Sequence, residues 1–131
     1  MKRCFAIFIL LALMLSISAC SKISVTDSKD VTLTFIHGEE NVIVTLEDDE
    51  AEKILSIFNE NSYEPLYAGN PSCSFSKNIS LKIGDRVFAI ARDECNFILD
   101  ASNMRYFDVS QEDMDYVHSL FEKYGGYFPC V

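Results

Sequence analysis

The chain has 131 residues, 49% of them hydrophobic, with 20 acidic side chains against 11 basic ones and a net charge of −9. That length suits one domain with its own core, without a metal or an oligomer to stabilise it. The acidic balance repels phosphate backbones and sets nucleic acid aside as a partner.

Lys2 and Arg3 open the chain, and Phe5 to Leu15 runs on without a polar residue. Such a run has the length of a signal-peptide h-region and falls short of the about 20 residues of a spanning helix. Ser16 and Ser18 end it, and Ala19 precedes Cys20. Ile17-Ser18-Ala19-Cys20 resembles the lipobox of bacterial lipoprotein precursors. The resemblance implies a signal peptide over 1–19, cleavage between Ala19 and Cys20, and a thioether-linked lipid on Cys20. It places the domain on the extracytoplasmic side of a cell membrane or outer membrane, held by that anchor. Two rival readings exist, an uncleaved anchor and an ordinary secretory signal. Length argues against the first, and the second leaves Cys20 without a role. The resemblance covers the leader alone.

Cleavage leaves 112 of the 131 residues, and loss of Lys2 and Arg3 takes the charge to −11. An acidic domain is repelled by anionic headgroups, so membrane contact is expected through the lipid alone. Of five cysteines, Cys4 leaves with the leader and Cys20 carries the lipid. Cys73, Cys95 and Cys130 remain, outside the cytosol, where a disulfide persists.

Residues 20–30 are polar and without period, and read as a flexible tether with a span of roughly 15–20 Å. A single domain is expected over 31–131. Val31, Leu33 and Phe35 alternate with polar residues, a turn follows at Ile36–Asn41, and Val42, Val44 and Leu46 alternate again: a hairpin. Glu47 to Glu50 supplies acids for a helix start, where they complement the dipole and cap free N–H groups. Ala51, Ile54, Leu55 and Phe58 then make one apolar stripe, ending near Asn61.

Residues 62–76 hold Pro65, Gly69 and Pro71, which suit neither a helix nor a central strand. Ile79–Ile83 and Arg86–Ile90 flank Gly84-Asp85, a two-residue hairpin turn. The register pairs Ile83 with Arg86, Leu81 with Phe88 and Ile79 with Ile90. Continued, it sets residue 73 opposite residue 96, which makes Cys73 and Cys95 near neighbours and the favoured disulfide. Such a bridge contributes about 3 kcal/mol by the chain-entropy estimate. Pairing of Cys130 with either is the competing assignment. Phe97–Leu99 and Arg105–Val109 form a third hairpin, and Ser110 to Asp113 caps a second helix with Met114, Val117, Phe121 and Tyr124 as its stripe. Gly125-Gly126 stops it, and the apolar tail from Tyr127 to Val131 should dock.

The fold class is therefore α+β: an antiparallel sheet of about six strands with two helices on one face. Residues 46–58 align without gaps onto 109–121, which is compatible with an order ββα–ββ–ββα. Any two capped amphipathic helices share much of that pattern.

Catalytic motifs are missing: no His-Glu-x-x-His, no Gly-x-Ser-x-Gly, no phosphate-binding glycine loop, no Cys-x-x-Cys. No catalytic residue, metal ligand or cofactor is assigned. His37 sits in a turn, and His118 sits mid-helix as a core-edge residue. The acids Asp48, Asp49, Glu50, Glu112, Asp113 and Asp115 read better as caps than as a calcium site, which needs a shaped oxygen-rich loop. Two aromatic segments follow the helices, and their residues Tyr63, Leu66, Tyr67, Tyr127 and Phe128 are candidates for binding a protein or peptide, because Tyr presents rigid amphipathic area. The plainer reading buries them as a satellite core. The functional expectation is a non-enzymatic, lipid-anchored module that binds or inhibits another extracytoplasmic protein. A metal- or solute-binding lipoprotein using the acidic helix starts, and a hydrolase with an unrecognised site, are the alternatives.

Overall fold

The computed structural model describes residues 21–25 and 30–129; the leader, Cys20 and Cys130 lie outside the described residues, as does the side chain of Tyr67. The elements are β1 (Val31–His37), β2 (Glu40–Thr45), α1 (Asp48–Glu60), a 3₁₀ turn (Leu66–Ala68), β3 (Phe75–Ile83), β4 (Arg86–Ala91), β5 (Phe97–Asp100), β6 (Arg105–Asp108) and α2 (Gln111–Gly125). The six strands make one antiparallel sheet in the order β2-β1-β3-β4-β5-β6. The α+β class and the order ββα–ββ–ββα thus stand.

Period-two patterning builds the sheet. Val31, Leu33 and Phe35 are buried in β1 and alternate with half-covered neighbours. Leu33 faces both Val44 on β2 and Leu81 on β3, so the inward phase is carried across three strands. Gly84 takes φ 58, the left-handed conformation that the two-residue turn requires and that a side chain resists.

Both helices cover the same face. Phe58 of α1 meets Phe88 of β4 edge-on at 4.8 Å and Phe107 of β6 at 5.3 Å. Met114, Val117, Leu120 and Phe121 of α2 enter the same core. Each large side chain buried there contributes about 1.5–3 kcal/mol. The stripe of α1 is turned slightly from expectation: Ile57 is buried and Leu55 only half so. Glu50 also lies on the buried side, where Lys123 and Tyr124 meet its carboxylate at 2.7 and 2.6 Å. Glu50 reaches back to the Glu47 N–H at 3.1 Å, a capping interaction. Ser110 caps α2 by accepting from the Asp113 N–H, and Gly126 at φ 90 closes it.

Two expectations are corrected. The β3–β4 register holds from Ile83↔Arg86 to Ser80↔Ala89, then shifts to Phe75↔Ala91. Ile79 therefore does not continue the ladder opposite Ile90, and residue 73 does not face residue 96. The irregularity falls between Phe75 and Ser80, in the part of β3 next to the long loop.

The second correction concerns the tether. Over its described residues 21–25 the segment lies against the domain. Ile23 and Val25 are buried at 1% and 6% exposure. Lys22 bridges Ser62, the Ile23 N–H donates to the Asn61 carbonyl at 3.2 Å, and Asn59 holds both backbone groups of Val25. Alternation of Ile23 and Val25 with polar residues is a strand-like signal, too short to stand out from a polar stretch.

Candidate functional site

The residues expected to form a binding surface are not one patch. Tyr63 is an internal strut. Its hydroxyl donates to Asp100, which is fully buried, and accepts from Arg86. Arg86 also reaches Asp100 Oδ2 at 2.6 Å and the Ser24 carbonyl at 2.8 Å. Arg105 stacks over the Tyr63 ring at 4.6 Å, and donates to Ser21 Oγ at 2.6 Å and to the Glu64 carbonyl at 3.0 Å. Burial pushes the Asp100 carboxyl up, but the bonds from Tyr63 and Arg86 outweigh it and hold the group below the usual carboxylate range. Burial and the neighbouring carboxylate raise the Tyr63 hydroxyl, which stays protonated as the donor.

Leu66 lies just beyond this network, 85% exposed. Tyr127 and Phe128 lie elsewhere. Arg86 opens β4 and Asp100 closes β5, whereas Phe128 shares a cleft with Arg92 and Asn96, past the opposite ends of the same strands. The tail turns back along α2, so Phe128 stacks on His118 at 3.9 Å and meets Phe121 edge-on at 5.6 Å. It is docked on α2, as expected of the apolar tail, and not under the long loop.

That cleft has a chemically varied lining. It encloses about 530 Å³ between Arg92, Asp93, Glu94, Asn96, Gln111, His118 and Phe128. The Asn96 and Gln111 side chains join across it at 3.0 Å. His118 Nε2 is buried without a hydrogen-bond partner. Burial holds the His118 imidazole below its ordinary pKa, against the opposing pull of Asp115 and Glu122, which favours the neutral ring.

Cys73 and Cys95 are joined, with Cα atoms 5.9 Å apart. The expected pairing forms, although the ladder that suggested it does not reach so far. The Asp93 carboxylate helps in its place, accepting from the Ser74 and Cys95 N–H groups at 2.9 and 3.4 Å. A second cleft of about 460 Å³ opens beside the bridge, between the loop 68–73, Glu64, Cys95 and Phe97. Residues 92–97 thus form a wall shared by two depressions, braced by a covalent link.

Among the described residues, the one group of three side chains close enough to share a cation is Cys73, Asp93 and Cys95. Two of its three ligand atoms are spent in the disulfide. Of the acids at the helix starts, Glu47 and Glu50 pair with Lys123, and Asp113 pairs with Lys53 at 3.8 Å and with Ser110.

The polar network was open to sequence reading in one respect. Arg86, Asp100 and Arg105 occupy the inward phase of their strands, with Phe88, Ile98 and Phe107. Three charges in core phase at one end of a sheet announce a buried cluster. The β4–β5 wall carries no comparable pattern, because it is made by loops that only the tertiary fold brings together. Compared with known proteins, the chain matches no family model, no curated protein and no solved structure.

Proposed function

We propose that this chain is a lipid-anchored extracytoplasmic module that binds another protein, without catalysis, through the wall at residues 92–97 and the clefts on either side of it. The observation that carries this reading is the disulfide beside the clefts. A covalent brace on an irregular wall fixes the shape of a surface that backbone pairing alone would leave loose, and preorganisation favours recognition. The lining mixes a guanidinium, carboxylates, amides and two aromatic rings, the composition of a protein-binding surface more than of an apolar ligand pocket. The lipobox-like leader supplies the compartment in which such a disulfide persists.

The test is capture. The domain immobilised through its amino terminus should retain a partner from an envelope extract. Asn96→Arg and Gln111→Arg, which place bulk and charge in the first cleft without touching the core, should abolish retention while leaving the melting temperature in place. Retention unchanged in both variants, or no retention by the native domain across a range of salt, contradicts the reading.

A further inference from the structure

The described chain begins with a residue that is pinned, not free. The Ser21 carbonyl accepts from the Tyr63 N–H at 3.2 Å, and its hydroxyl accepts from Arg105 at 2.6 Å. Over the next four residues, bonds to Ser62, Asn61, Arg86 and Asn59 and the burial of Ile23 and Val25 continue the hold. Cys20 is one peptide away, so its Cα lies about 3.8 Å from that of Ser21. A lipid on Cys20 would therefore be joined one residue from the pinned Ser21.

Exposed apolar side chains occur on the segments that hold Ser21. Among the described residues, four large hydrophobic side chains are exposed: Ile43, Leu66, Met104 and Tyr127, at 69%, 85%, 64% and 46%. Met104 adjoins Arg105, which holds Ser21. Leu66 follows Tyr63 and Glu64, which pair with Ser21 and with the backbone of Tyr106 on β6. Ile43 sits on β2, at the opposite edge of the sheet from β6. Two exposed apolar side chains thus belong to the chain segments that hold Ser21, and a third marks the far edge of the sheet.

We propose that the domain rests directly on the bilayer at this end, with Leu66 and Met104 seated among the headgroups beside the lipid of Cys20. The proposal depends on the lipidation reading, and replaces the expectation of a raised domain whose membrane contact comes from the lipid alone. Side chains at this depth lie about 5–10 Å into the interface. The net negative charge offers no attraction to anionic lipids, so the seat is apolar and one-sided, and serves to orient the clefts.

The chain contains no tryptophan, so single probes report without background. Leu66→Trp, Met104→Trp and Ile43→Trp are made in the full precursor, matured in a bacterial host, and reconstituted into phosphatidylcholine vesicles with and without brominated acyl chains. Trp at 66 and at 104 should shift its emission to the blue and lose about half or more of its intensity to the bromines. Trp at 43 should keep its emission and stay open to an aqueous quencher. Equal, water-like emission at all three positions overturns the seating while the lipid, verified by the mass of the amino-terminal peptide, remains. Absence of the lipid from that peptide overturns the anchor and the seating together.

Discussion

The Tyr63 hydroxyl donates to the Asp100 carboxylate, which has no solvent exposure and shares its Oδ2 with Arg86. This contact joins the long loop to the end of β5, and through Arg86 to the backbone of Ser24. Removing one partner of a buried pair strands the other. Asp100→Ala should cost about 3 kcal/mol, the low end for such a change, because Arg86 keeps 30% side-chain exposure and can rehydrate. Tyr63→Phe should cost about 1 kcal/mol, since Arg86 still satisfies the carboxylate. Urea unfolding at neutral pH measures both, and a larger loss for Tyr63→Phe would reverse the assignment of roles.

The Cys73–Cys95 bridge closes a segment with a sequence separation of 22. Its loss in a Cys73→Ser, Cys95→Ser double variant should cost about 3 kcal/mol by the chain-entropy estimate. Peptide mapping without reduction should recover Cys73 linked to Cys95. A Cys130-linked peptide in its place would contradict the structure.

Acid should unfold the domain in two stages. The His118 imidazole is held below its ordinary value, chiefly by burial. In this range the unfolded chain binds more protons, so stability is complete above a pH of about 6.5 and declines as the pH falls toward the lowered value. Asp100 and Glu50 are also lowered: burial raises both, and hydrogen bonds from Tyr63 and Arg86, or from Lys123 and Tyr124, prevail. Their contribution is present above about pH 4–5 and is lost below it, as the pH passes down through the folded values. His118→Gln should remove the first stage, and Asp100→Asn should shrink the second. Melting temperatures that do not change from pH 7 to pH 4 would contradict this.

Phe58 sits where three rings converge, against Phe88 and Phe107 with no exposed surface. Phe58→Ala should cost about 3–5 kcal/mol, from lost burial and the cavity left behind. A cost under about 1 kcal/mol would mean that α1 does not cover the sheet.

How far the sequence can be read follows from which residues carry the signal. The hairpin at Gly84 and both helices are legible because period and punctuation agree over many residues. In the same way, alternation of Val31, Leu33 and Phe35 fixes which face of β1 is inward. The strap at 21–25 is not legible: two apolar residues among polar ones carry little pattern, and their burial depends on partners 34 or more residues away. The register that places Cys73 near Cys95 is interrupted by an irregularity between Phe75 and Ser80, although the two cysteines still pair. The Tyr63 strut escapes for a related reason. A tyrosine in a loop looks like a surface aromatic until the inward-phase Arg86 and Asp100 are set beside it.

The proposed function depends first on a lipid at Cys20 that tethers this domain outside the cytoplasm. The most direct measurement is the mass of the amino-terminal peptide of the protein recovered from bacterial membranes. The peptide should begin at Cys20 and carry a diacylglyceryl group, and be replaced by unprocessed precursor in the Cys20→Ser variant. A peptide that begins at Met1, with an unmodified Cys20 and the protein in the soluble fraction, would contradict it.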